Sequence, residues 1–374
     1  MAKRWTGSVV FAPPQSESAR LAITALKAWR LKEPVSGRSY TVLKLETRNG
    51  AVGYGECGPS VGSEIAKAKA AIVGKRATDA EFIRHHLASS PGMESAVNNA
   101  MLDVAARSAN VPIYQFLGGP TRFKARVVAH LEGEDEEALV SSLQRGMQRG
   151  FQAFSFPIPQ RDAMWRMQAY VDVTKRRFER LKKAAGSDTD FVLDGKAMLT
   201  PGDASFIATA LEREHLLWFD EPTEVLTNDA LSRISDESVM PLGLGRNVHN
   251  VATFQNLLRW GCVDILRPSM ALNSIRQIRR MAAVAETHYV AVGPYHTGGP
   301  IATVAAIHLA ASLPNFFAQQ VPFPAAEQDR AMREELTSGN VESAVDGFAQ
   351  LINKPGLGIQ VNEQALSKYS EEVL

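Results

Sequence analysis

Apolar segments that read as short strands close at residues 194, 220, 246, 269, 295 and 320, in steps of 26, 26, 23, 26 and 25 residues. A step of that size holds one strand, one helix and the two loops that join them. Sustained over a third of the chain, it leaves few folds open. With two earlier segments the strand set is ARVVAHL, FQAFSF, DFVLD, LLWFD, PLGLG, VDILRP, YVAVGP and FFAQQ. Between them lie helical stretches such as EEALVSSLQRGMQRG, FQNLLRWG and IRQIRRMAAVAETH. Apolar strands separated by helices imply a parallel sheet covered on its outer face, and eight of them predict an α/β fold closed as a (β/α)8 TIM-type barrel. An open doubly wound sheet is the alternative that the period alone leaves standing.

The barrel takes up residues 124–320. Residues 1–123 have another texture. LAITALKAWRL and SYTVLKLETRNGAVGYGE read as strands, with Asn49-Gly50 as a hairpin turn. Helical patterns follow, among them GMESAVNNAMLDVAARSA, which predicts a small α+β domain. The tail, 321–374, has turn residues and one more short strand, and is expected to return to that first domain.

Composition narrows the function classes. Lys and Arg number 41 against 40 Asp and Glu, a net charge of +1. No field favours nucleic acid or a membrane surface. The one basic run, Lys175 to Lys183, falls in a helical pattern and reads as a solvated face. Cys57 and Cys262 suit a reducing compartment or core filling. No segment reaches the roughly 18 apolar residues of a membrane span, and residues 1–20 lack the apolar stretch of a signal peptide. A cytoplasmic location is expected, with a trimmed native export signal as the alternative.

In a barrel of this type chemistry sits at the C-terminal strand ends. Those positions carry Ser155 and Pro157, Asp194 with Lys196, Asp220 with Glu221, Arg246, Ser269, Tyr295 with His296, and Gln320. Two of the strands close on an acid, and the third of the 26-residue series closes on an arginine.

Taken in order, VLKLETRNGAVGYGE, ESAVNNAMLDVAARSANVPIYQFLGG, WFDEP, VDILRP, AAVAETHYVAVGP and KPGLGIQVNEQALSKY resemble the mandelate racemase-like branch of the enolase superfamily, which includes acid-sugar dehydratases. The resemblance runs almost end to end. It implies a modified barrel under an N-terminal α+β capping domain, whose loops around 34–40 and 57–63 cover the barrel mouth. It also implies a homo-oligomer, and proton abstraction α to a carboxylate with Mg2+ stabilising the enediolate. An active member would be a lyase (acid-sugar dehydratase) or an isomerase (racemase or epimerase).

Carried over residue by residue, the family pattern is broken. Asp194 and Asp220 match the first two metal ligands. Arg246 stands where the third acid belongs. Ser269 replaces the aspartate that partners the catalytic histidine, and Tyr295 stands at that histidine, with His296 next to it. Ser155 and Pro157 occupy the second-strand base positions, Gln320 replaces a glutamate, and Lys196 an asparagine.

A guanidinium has only donors and stays protonated, so Arg246 cannot ligate Mg2+, which demands oxygen ligands at about 2.0–2.1 Å. Two carboxylates with one arginine carry the same net charge as three carboxylates with one Mg2+. Arg246 is therefore expected to act as an internal cation. No cofactor is expected, Mg2+ entering only if the family site still functions. Three readings follow. In one, family activity is lost and a carboxylate or sugar acid is bound at most. In another, a remodelled site acts on an acid sugar, with Arg246, Arg267, Ser269, Gln320 and His249 as substrate contacts and Tyr295, His296 and Lys196 as acid/base candidates. Residual metal chemistry through other ligands, such as Asp220 with Glu221, is a third. Each side chain also has a plainer role: Lys196 pairing with Glu221 or Asp220, His249 in a loop, His296 at a helix end, Tyr295 as packing.

Overall fold

The computed structural model describes residues 20–162, 164 and 166–373; most of the N-terminal stretch judged not to be a signal peptide lies outside them. Two sheets organise the chain. The first is antiparallel, in the order β13-β1-β2-β3. Its strands are β1 (Ile23–Lys32), β2 (Ser39–Thr47), β3 (Val52–Cys57) and, from the far end of the chain, β13 (Ser370–Val373). The β2–β3 connection turns at Asn49-Gly50, where Gly50 takes φ +81°, as the hairpin signal predicts.

Helix α1 (Pro91–Ser108) lies behind this sheet. Its residues 93–106 are all buried, because it is covered on two sides. Towards the sheet, a Cβ at Gly55 would sit 1.9 Å from the Ala96 carbonyl oxygen, so only glycine allows the approach. Towards the barrel, Asn99 Oδ1 accepts the Ile275 N–H at 2.9 Å, and the Ser95 hydroxyl donates to the Met270 carbonyl at 2.9 Å.

The second sheet curls round in the order β10-β9-β8-β7-β6-β5-β4-β11. Its members are β4 (Lys124–His130), β5 (Ala153–Pro157), β6 (Asp190–Asp194), β7 (Phe219–Asp220), β8 (Leu242–Leu244), β9 (Ile265–Leu266), β10 (Ala291–Val292) and β11 (Gln319–Val321). All pair in parallel, and β11 runs beside β4. A bridge from Val292 to Phe316 joins the remaining edge. The eight expected segments all contribute, so the doubly wound alternative falls away. Register sets the site: Asp194 lies opposite both Pro157 and Asp220, and Asp220 opposite Gly243.

The tail divides its contacts. β12 (Phe348–Gln350) pairs antiparallel with β4, whereas β13 pairs with β1. The basic run sits on helix α2 (Met167–Ala185), which buries Tyr170, Val171, Thr174, Phe178 and Leu181. Its cations face outward to acids, as in Arg177–Glu136 at 2.7 Å and Lys182–Glu214 at 3.1 Å. Both cysteines are buried and free. Among the described residues no helix is long and apolar enough to cross a membrane.

Candidate functional site at the barrel mouth

The strand ends bring Asp194, Asp220, Arg246 and Arg267 into one buried cluster. Arg246 Nη1 donates to Asp194 Oδ1 at 3.0 Å and Oδ2 at 3.2 Å, while Nη2 donates to Asp220 Oδ2. One guanidinium thus joins both acids. Its position is set from below. Glu221 Oε1 accepts the backbone N–H groups of Gly245 (2.6 Å) and Arg246 (2.8 Å). Gly245 takes φ +122°, and a Cβ there would meet the Phe254 ring at 2.7 Å.

Arg267 corrects an expectation. Alternation along VDILRPS does turn it inward, but it is fully buried and every nitrogen is engaged. Nε and Nη2 donate to Asp220 at 3.0 Å, Nη2 also to Gln320 Oε1 at 2.6 Å, and Nη1 to the Gly293 carbonyl. Arg267 therefore braces Asp220 with no nitrogen left free, and Gln320 Oε1 is taken up in holding Arg267. Ser269 is also turned to structure: its hydroxyl oxygen accepts the Ala271 N–H at 3.2 Å.

Charges within the cluster answer one another. Burial alone would raise the Asp194 carboxyl, but Arg246 and His130 outweigh it and hold the group below its usual range. Burial would likewise lower the Arg246 guanidinium, and Asp220 and Asp194 reverse that. Glu221 is pushed up to about 7, first by burial and then by Asp220.

Above the cluster opens a cavity of about 300 Å3 lined by His130, Asp194, Lys196, Glu221, Arg246, Asn247 and Tyr295. The Tyr295 ring stacks on Arg246, 4.1 Å from its guanidinium carbon. Lys196 takes φ +53° and donates its backbone N–H to Asp194 Oδ1 at 2.9 Å. Its exposed side chain has no ion-pair partner among the described residues, so the plainer pairing with Glu221 or Asp220 is not made. His130 and Asn247 were absent from the sequence candidates. His130 closes the first barrel strand, so the same strand-end rule would have found it. Its Nδ1 is buried without a hydrogen-bond partner.

Two histidines fall elsewhere. His249 lines a larger cavity of about 450 Å3 between the capping domain, which contributes Arg84 and Glu94, and the barrel, which contributes Arg280. That cavity carries no strand-end acid, so its greater size does not make it the centre of chemistry. His296 is 1% exposed and faces the cap junction, where Nε2 lies 3.2 Å from the Thr303 hydroxyl. Successive residues of extended chain point to opposite sides, so Tyr295 takes the pocket and His296 does not.

Mg2+ does not fit this arrangement. The oxygens of Asp194 and Asp220 that would face an ion already accept from guanidinium groups, and no group of three potential metal ligands occurs among the described residues.

Comparison with known proteins adds the following. Residues 31–118 match the family model described as the mandelate racemase/muconate lactonizing enzyme N-terminal domain, and residues 138–365 the enolase C-terminal domain-like model. A D-galactonate dehydratase of Klebsiella pneumoniae is 25% identical, covering 94% of either chain. A D-xylonate dehydratase of Haloferax volcanii is 25% identical over 89% of this chain and 86% of its own. A mandelate racemase/muconate lactonizing enzyme from Sulfitobacter superposes with a TM-score of 0.84 at 22% identity, over 94% of this chain and 96% of that one. An enolase from Agrobacterium radiobacter, solved with bound sodium and L-malate, superposes at 0.83 and 22% identity, over 93% and 95%.

Proposed function

This chain belongs to the enolase superfamily, in its mandelate racemase/muconate lactonizing enzyme branch, and we propose that it binds a small carboxylate or sugar acid at the barrel mouth without a metal, having given up the usual Mg2+-dependent proton abstraction. The observation that carries this reading is the Arg246 guanidinium bonded to both Asp194 and Asp220. With its terminal nitrogens spent on those acids, Arg246 neutralises the floor of the pocket. The carboxylate partner is then Lys196, whose ammonium is free, with the Tyr295 hydroxyl, Asn247 and His130 around it. The sugar-acid class is supported by relatives named for galactonate and xylonate and by the malate-bound neighbour.

Calorimetric titration with D-galactonate and D-mannonate in excess EDTA tests this. Binding without metal is expected, weakened at least tenfold by Lys196→Gln, which removes a charge-assisted bond of roughly 1.5–3 kcal/mol. Binding that appears only with Mg2+ overturns it.

A second reading is a dehydratase or racemase working through a remodelled, metal-free site. It is favoured by His130, Lys196 and Tyr295 lining one pocket, which puts three acid/base-capable groups around the same space. Formation of a 2-keto-3-deoxy acid from either probe in EDTA would carry this reading in place of the first.

A further inference from the structure

A second cavity, of about 100 Å3, lies where the cap meets the barrel. Arg38, Tyr40 and Glu56 line it from the cap, and His296, Thr297 and Ala302 from the barrel. A chain of hydrogen bonds leads into it from the tail. Arg333, 2% exposed, donates Nε and Nη2 to the two carboxylate oxygens of Glu342 at 2.6 and 2.7 Å. With both oxygens turned to a guanidinium, Glu342 receives the Thr303 hydroxyl. A hydroxyl has one hydrogen. Once that is given to Glu342, Thr303 Oγ1 can only accept from His296 Nε2, 3.2 Å away. The ring hydrogen therefore sits on Nε2. Burial, with Arg333 and Arg38 nearby, holds the imidazole well below its ordinary basicity, so Nδ1 is a bare lone pair.

That lone pair has no partner, and neither has the Tyr40 hydroxyl. Both residues are at most 1% exposed. Arg38 Nη1 is also buried without a hydrogen bond. Arg38 Nη1 still has Glu33 Oε2 at 3.9 Å, but the His296 acceptor and the Tyr40 donor, unpaired at one cavity, cost free energy unless something satisfies them.

We propose that this cavity is a hydroxyl-recognition site, in which His296 Nδ1 accepts a hydrogen bond from an aliphatic alcohol whose oxygen accepts one from the Tyr40 phenol. The volume equals roughly three waters at about 30 Å3 each, the room of a short hydroxylated segment. Its source is either a free small polyol or the hydroxylated tail of a sugar acid; the second rests on the reading under Proposed function.

The test is nitrogen NMR of the full chain labelled at histidine, with glycerol and D-galactonate as probes and the His296 signals assigned by their loss in His296→Gln. The expected spectrum has a protonated Nε2 and a bare Nδ1, and one of the probes moves the Nδ1 resonance. Tyr40→Phe, which keeps the ring packing, weakens that response roughly tenfold. Thr303→Val abolishes the Nε2–H preference. A response to D-galactonate identifies a sugar-acid tail, and a response to glycerol alone a separate polyol site. A protonated Nδ1, or no response to either probe, overturns the proposal. A glycerol response without calorimetric D-galactonate binding removes the earlier reading and leaves this one, and the converse result removes only this one.

Discussion

One guanidinium, that of Arg246, is bonded to two buried carboxylates, and its proposed role as an internal cation is testable at that residue. Arg246→Glu supplies a third acid beside Asp194 and Asp220 and removes the competing cation. The variant is expected to take up one Mg2+ per chain by calorimetry, where the wild type takes up none. Equal Mg2+ binding by both would end the internal-cation reading. Arg246→Met is the complementary change. It strips Asp194 of its strongest partner, and a buried ion pair broken on one side costs about 3–5 kcal/mol, to be read as a lowered urea midpoint. The loss should be smaller if Arg267 compensates Asp220, which it contacts through two nitrogens.

At the scale of elements, the mouth is held by close contacts between backbone segments. β3 and α1 approach so closely at Gly55 that an added methyl would strike a carbonyl oxygen. Gly55→Ala should cost several kcal/mol in chemical denaturation, because neither backbone can yield alone. Glu56, on the same strand, accepts the N–H groups of Gly299 and Ala302 at the start of the helix Pro300–Ala310. Burial raises its carboxyl to about 7 against the pull of the Gly299 N–H and Arg333. The sign follows from linkage. A folded-state value above the unfolded one means the folded chain holds the proton longer. The contribution of Glu56 is then largest below about pH 4.3 and declines as pH rises towards 7, levelling off above it. Glu56→Gln should flatten that part of the stability profile, measured as urea midpoints from pH 4 to 8. An unchanged slope would place the decline on other groups, such as Glu94, also raised to about 7 by burial.

At the scale of the molecule, three stretches distant in sequence are tied through Arg333. It reaches Glu33 in the cap, the Gly298 carbonyl at the barrel mouth and Glu342 in the tail. Arg333→Met strips Glu342 of its guanidinium and leaves Glu33 only the longer cation contact to Arg38 at 3.9 Å, and a loss of about 3–5 kcal/mol is expected. If Arg333 holds the cap on the barrel, protection from hydrogen exchange in β1 and β2 should fall with it. A loss confined to the helix Glu327–Leu336 would show that the tie is local.

Much of this was legible in the chain itself. The step of about 25 residues narrowed the chain to a parallel strand–helix fold, and the eight strand segments pointed to a barrel, although only the pairing of β11 with β4 and the bridge from Val292 to Phe316 closed it against an open sheet. The turn residues at Asn49-Gly50 determined the hairpin, and the strand-end positions named Asp194, Asp220 and Arg246. The reach of an arginine across neighbouring strands, about 4.8 Å apart, made their meeting foreseeable. Other features depended on tertiary structure. Arg267 pointed inward as alternation requires, but that Asp220, the Gly293 carbonyl and Gln320 would use up its donors depended on barrel curvature. His296 and Tyr295 are adjacent in sequence yet serve different cavities, because one residue of extended chain reverses the side. His249 left the mouth because loop paths carry no periodic signal. The relay from Arg333 to His296 joins residues 33, 296, 303, 333 and 342. No local pattern encodes such a set: the cap, barrel and tail come together only when their apolar faces are buried against one another, and the polar groups caught at that junction must then find partners among whatever has arrived.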